Sequence, residues 1–232
     1  MSVSRSQEIL KELRLAPLWR HRIEDTVSSI VKTPSSSVIK KEDRSFQILH
    51  SDWAQLKENV TGCTSCSLNQ NRVKAVFGIG DKNADWLFVG DVPSVEEDIQ
   101  GKPFIGPSGK LLDNMLEAIS LKRDNNIYIA NIVKCRPPGN RNLDHSEALQ
   151  CEPFLIRQIE LIRPKLIIAL GEIAAQNLLG TSSTIDSLRG RLHEYSGIPL
   201  IVTYHPAYLL RMQSDKEKVW EDLCFARNIM QK

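Results

Sequence analysis

Residues 86–112 read WLFVGDVPSVEEDIQGKPFIGPSGKLL. Trp86 to Gly90 make a short apolar run of strand length, and behind Ser108 the residues Leu111, Leu112, Met115, Leu116 and Ile119 recur at helical spacing. Between them the Gly and Pro residues break either period, so a strand feeds a loop and the loop feeds a helix. The same alternation continues along the chain. Ile127 to Val133, Leu166 to Leu170 and Leu200 to Thr203 are further strand-like runs. Leu155, Ile159 and Ile162 form a helical stripe that stops before Pro164, and Val219, Leu223, Ala226 and Met230 form another within residues 215–230. Strands alternating with helices predict an α/β fold, a three-layer α/β/α arrangement around a central, mostly parallel four-stranded sheet. Such sheets bind ligands beyond the carboxyl ends of their strands. The stretches to inspect are therefore Asp91 onward, Asn131 to Arg136, Gly171 onward and Tyr204 to Arg211.

Upstream of this region the pattern is different. Ser4 and Gln7 offer a capping box for a short helix with Ile9, Leu10 and Leu13 on one face. From Asp25 to Arg44 the composition turns to Ser, Thr, Pro and Lys, with too few apolar residues for a core, and reads as a linker. The expected organisation is an N-terminal helix and flexible linker over residues 1–50 and one folded domain over 51–232. No apolar run is long enough to span a membrane and the first residues lack a signal-peptide core, which predicts a cytoplasmic protein without a membrane partner. With 30 basic and 28 acidic side chains the net charge is only +2, so a polyanion would have to meet a local basic patch. Five cysteines without an export signal argue for metal ligation ahead of disulfides.

Cys63 and Cys66 form a C-x2-C pair that can present two thiolates from one turn, with Gly62 to favour the bend. Cys135 and Cys151 lie far along the chain, and the missing second C-x2-C weakens a zinc ribbon; on spacing alone, buried thiols remain the alternative for these two. Cys224 falls on the apolar face of the last helical stripe, where core packing is expected. In the loop after Gly90, the acidic group Asp91, Glu96, Glu97 and Asp98 can supply a catalytic carboxylate or simply a solvated surface. Phe104 either packs back on the sheet or floors a base-binding pocket. Asn131 ends an apolar strand, where its amide must find partners or cost about 1–3 kcal/mol. His205, fixed by Pro206 at another strand end, is a structural or a catalytic histidine. Leu209, Leu210 and Arg211 are core and surface, or an apolar wedge beside a phosphate contact.

From about Trp53 onward the combination of the C-x2-C pair, GDVPSVEED, PFIGPSG, NIVKCRPPGNR, the later Cys151 and HPAYLLR resembles the family-four, iron–sulfur uracil-DNA glycosylases. The resemblance implies a glycosylase fold and a [4Fe–4S] cluster held by Cys63, Cys66, Cys135 and Cys151. It also implies a pocket for flipped-out uracil in DNA. There Asp91 and His205 would be catalytic, and Gly90, Val92, Phe104 and Asn131 would bind the base. Lys134, Arg136, Arg141, Arg189 and Arg191 are candidate phosphate contacts, and the expected species is a monomer acting on single- or double-stranded DNA. The chain departs from the family's Gly-Glu-x-Pro-Gly motif at Asp91 and Ser94. That departure motivates the alternative of a weakened or inactive glycosylase-fold protein that still binds DNA.

Overall fold

A computed structural model describes residues 44–231. Residues 44–49 are helical and bring Ile48 into the core. Helix α1 (Trp53–Thr61) starts at Asp52, whose side chain accepts from the Gln55 N–H while the Gln55 side chain returns the bond, so the first turn's orphan donors are met. Then come β1 (Ile79–Gly80), β2 (Trp86–Gly90), α2 (Val95–Gln100), α3 (Gly106–Ala118) and β3 (Ile127–Asn131). The second half holds α4 (His145–Ile162), β4 (Leu166–Leu170), α5 (Glu172–Leu179), α6 (Ile185–Leu188), β5 (Leu192–Tyr195), β6 (Ile198–Thr203), α7 (Pro206–Leu209) and α8 (Lys216–Met230).

The sheet has six strands in the order β1-β3-β2-β4-β6-β5, which corrects the expected four. The four apolar runs are its parallel centre, β3-β2-β4-β6, and an antiparallel strand is added at each edge. Neither edge strand carries an apolar run. β1 has two residues, and β5 alternates exposed and half-buried positions because one face meets solvent. Ser196 and Gly197, at φ 49° and 82°, form the two-residue turn that folds β5 onto β6, a geometry with two positive φ values that suits the twist of paired strands.

Successive residues of the central strands serve opposite faces. Leu87, Val89, Ala130, Ile167, Ala169, Leu200 and Val202 pack in one core with Leu56 of α1, Phe154 and Ile159 of α4 and Ala174 and Leu178 of α5. Trp86, Phe88, Ile129, Ile168, Leu170 and Ile201 pack in the other with Leu112 and Leu116 of α3 and Val219, Leu223 and Ala226 of α8. This is the three-layer arrangement read from the alternation. Since β2 leads to β3 on one side while β4 leads to β6 on the other, the strand order reverses between β2 and β4, the switch point at whose carboxyl ends sheets of this kind form a ligand crevice. Among the described residues no helix is long and apolar enough to cross a membrane.

Candidate active site and cysteine cavity

The crevice is built from glycines and helix starts. Helix α5 follows β4 with Gly171 as its N-cap, which has no side chain to satisfy the first N–H groups. Asp91, just past β2, fills that role from the neighbouring strand: its Oδ1 accepts from the Ala174 N–H at 2.7 Å. Burial pushes the Asp91 carboxyl up to about 7, with Glu172 adding to the rise and the Ala174 bond opposing it. Gly171 sits at φ 102°, and a Cβ there would lie 3.0 Å from Asp91 Oδ2 and 3.1 Å from His205 Cβ. Asp91 and His205 therefore approach across a glycine that no larger residue can replace without strain.

His205 ends the β6 segment and caps α7, its Nδ1 accepting from the Ala207 N–H at 3.1 Å. An acceptor at Nδ1 puts the proton of the neutral ring on Nε2. Burial pulls the His205 pKa down to about 4, so the ring is neutral at pH 7. Both Asp91 and His205 keep some accessible surface at the mouth while protein encloses their other sides.

Phe104 lies against the His205 ring, with centroids 5.3 Å apart and planes at 29°. Its backbone is held at φ 50°, a left-handed value uncommon for an aromatic residue. The Glu97 carboxylate stabilises that loop, accepting from the Phe104 N–H at 2.9 Å and the Ser94 N–H at 3.2 Å. Ser94 in turn caps α2 by accepting from Glu97 N–H, which gives the serine in this motif a local structural reason. Burial raises the Glu97 pKa, against those hydrogen bonds.

Gly90 brings the remaining wall together. It pairs in register with Asn131 on β3, and a Cβ at Gly90 would come within 2.6 Å of Phe104 Cζ and 2.7 Å of Asn131 Oδ1. Asn131 is 1% exposed, and its Nδ2 is buried without a hydrogen-bond partner. The amide is near enough to Glu97 to lower that carboxyl's pKa, yet it lies outside hydrogen-bond geometry. Val92, half-buried, packs against the α1–α4–α5 core. The structure thus gathers Gly90, Asp91, Phe104, Asn131 and His205 at neighbouring strand ends.

Cys63, Cys66, Cys135 and Cys151 line one cavity, together with Val60, Leu68, Val133 and Phe154. N–H donors surround them: Arg44 Nη2 to Cys63 Sγ at 3.4 Å, Arg72 Nη1 to Cys135 Sγ at 2.9 Å and the Lys134 backbone N–H to Cys151 Sγ at 3.3 Å. Burial pushes the Cys151 thiol up to about 12. Among the described residues no three or more His, Cys, Asp or Glu side chains converge as the ligands of a single ion do. Cys224 is half-buried on α8, apart from this set.

Three of the five expected phosphate contacts are engaged with other groups of the protein. Lys134 is 1% exposed, with its ammonium in the interior, so it cannot reach a phosphate. Arg141 forms a two-pronged pair with Glu147 at 2.9 and 2.6 Å, and Arg189 bonds to the Asp222 carboxylate. Arg191 is exposed, and Arg136 is half-buried against Asn140 Oδ1. After the short α7, Leu210 and Met212 are exposed on either side of Arg211. Spacing did not single out Glu97 as an inward-facing support, nor Arg72 and Arg44 as donors to sulfur; the capping box formed by Ser94 and Glu97 was the one local signal available for the first.

The sequence model of the Uracil DNA glycosylase superfamily matches residues 77–224. Among curated proteins, the type-4 uracil-DNA glycosylase of Archaeoglobus fulgidus is 38% identical over 180 residues, covering 71% of this chain and 89% of that protein. The type-4 enzyme of Thermotoga maritima is 39% identical over 76% of this chain and 94% of its own length. That of Sulfurisphaera tokodaii is 40% identical over 72% and 80%.

Proposed function

The chain belongs to the uracil DNA glycosylase superfamily, and from this membership we propose that it is a type-4 uracil-DNA glycosylase, hydrolysing the N-glycosidic bond of uracil flipped out of DNA and so opening base-excision repair. One observation carries the reading to this chain's own residues: the unpaired Asn131 amide, the Phe104 ring, the His205 ring stacked on it and the Asp91 carboxylate come together around Gly90 and Gly171 at the strand ends. Uracil stacked on Phe104 gives the Asn131 Oδ1 the N3–H and gives the waiting Nδ2–H the O4 carbonyl. Cytosine offers the reverse pattern. As the C1′–N1 bond breaks, its electron pair leaves with the base, and His205 donates a hydrogen bond to the oxygen that gathers the charge. Asp91 orients a water for C1′ and takes its proton, so the products are free uracil and an abasic sugar. The test is incubation of purified protein with single- and double-stranded oligonucleotides carrying one uracil. Free uracil and abasic sites are expected, and an oligonucleotide left intact by folded protein would overturn the reading in favour of a DNA-binding relative without activity.

Because Asp91 must be ionised to accept a proton, its pKa of about 7 sets the acid limb. The single-turnover rate should fall roughly tenfold per pH unit below that value and level off above it. No second limb from His205 is expected between pH 5 and 9, since that ring is already neutral with a pKa of about 4. Asp91→Asn should give a low, pH-independent rate; a limb that persists in this variant would assign it to another group.

The four-cysteine cavity supports a [4Fe–4S] cluster bound by Cys63, Cys66, Cys135 and Cys151. Four cysteines around one apolar-walled space fit a cluster in which each thiolate holds a separate iron. When bound, the cluster supplies a covalent tie between distant chain segments. Anaerobically prepared protein should contain about four iron and four sulfide per chain, and stoichiometric zinc in their place would sink the assignment. Cys135→Ser should lower the melting temperature more than it changes the rate of protein that remains folded. The smallest active form should begin before Arg44, which donates to Cys63 and lies over the Phe154 ring.

A further inference from the structure

Lys134 is the one lysine or arginine buried among the described residues. Its surroundings explain why an ammonium is tolerated there. The Nζ donates to the Asn131 carbonyl at 2.9 Å and to Gln158 Oε1 at 2.7 Å, while Gln158 Nε2 is itself anchored on the Phe77 carbonyl at 2.8 Å. No carboxylate forms an ion pair with Lys134 among the described residues. Its main chain is equally committed, with the N–H on Cys151 Sγ and the carbonyl accepting from Val76 N–H at 2.7 Å.

The chain segment gives this contact a direction. Asn131 faces the base crevice, Ile132 and Val133 extend the ladder by bonding to the Gly90 and Asp91 carbonyls, and Cys135 lines the sulfur cavity. Lys134 folds back over three residues to hold the carbonyl of Asn131. We propose that Lys134 is a positioning residue that couples the cysteine cavity to base recognition, its main-chain N–H on Cys151 Sγ and its neighbour Cys135 tying it to the cavity while its ammonium holds the Asn131 carbonyl. The inference rests on the reading of Asn131 as the residue that faces uracil. Loss of the ammonium's two holds, on the Asn131 carbonyl and on Gln158 Oε1, would loosen the segment that carries Cys135 together with Asn131.

A double-mutant cycle tests it, with single-turnover uracil release, DNA affinity and iron content measured for the parent, Lys134→Met, Asn131→Ala and the double variant. Lys134→Met should slow release about tenfold with DNA affinity within about twofold, and should cost less than about twofold once Asn131 is already alanine. Its iron content should also fall below that of the parent. Should Lys134→Met fail to fold, Gln158→Met removes the second hold on the ammonium and should show the same dependence on Asn131 with a loss of about threefold. Additive losses, or an undiminished iron content in Lys134→Met, overturn the coupling. A parent that releases no uracil strikes the functional reading instead, so the two failures are told apart.

Discussion

Replacing His205 with alanine is expected to lower the single-turnover rate of uracil release by about a hundredfold or more, the usual cost of deleting one donor to developing charge. DNA affinity should change little. The asymmetry follows from when the bond matters. A neutral imidazole with its proton on Nε2 bonds weakly to an uncharged carbonyl, and strongly to the same oxygen once the glycosidic electron pair moves onto the base. The Ala207 N–H on Nδ1 and the low pKa of about 4 together exclude an imidazolium in the ground state, so the ring contributes a hydrogen bond and no net charge. Measured rates with protein in excess over DNA, alongside binding to an uncleavable analogue, separate the two effects. A loss in binding equal to the loss in rate would mean that His205 only supports the loop from Pro206 to Arg211. His205→Gln retains a side-chain N–H donor and should recover part of the rate if the hydrogen bond is the cause.

Much of the central sheet was legible because its strands are buried on both faces and read as unbroken apolar runs. The edge strands were not, since β5 shows only the half-buried alternation of Leu192 to Tyr195 and β1 is two residues long. Strand ends also picked out residues that the structure brings together, because the Asp91, Asn131 and His205 stretches all end or follow strands of the parallel centre. What the pattern lacked was depth. Nothing in the spacing distinguishes Lys134, sealed under the sheet, from Arg191 in solvent, since both are single basic residues next to turns. Nor could it tell Glu97, folded inward onto the Phe104 N–H, from Glu96 beside it on the exposed face. Those differences arise from tertiary contacts between segments, as Asp91 shows by capping a helix that begins eighty residues later in the chain.

Asn131→Asp should impair uracil release by at least about a hundredfold at neutral pH, through a mismatch that the crevice cannot relax. In the parent, Nδ2 is the buried donor without a partner, and its match is a carbonyl on the bound base. The substitution puts an acceptor in its place, facing O4, in a position already 1% exposed and near the Glu97 carboxylate. Two acceptors without a proton between them repel. The introduced carboxyl, buried beside another, has its pKa raised by desolvation and by like charge. At lower pH it therefore carries a proton and can again donate to O4. The ratio of variant to parent rate should accordingly rise as the pH falls, even though both enzymes lose the Asp91 carboxylate in the same direction. Cytosine gains from the opposite cause: its N4 amino group donates to the new acceptor. Release of cytosine relative to uracil should increase, though the absolute rate stays low because the departing cytosine anion is less stable. Parallel measurements on uracil- and cytosine-containing oligonucleotides across pH 5.5 to 8 decide the matter. If the uracil-to-cytosine ratio and its pH dependence match the parent's, Asn131 does not read the base edge, and its unpaired amide has some other partner.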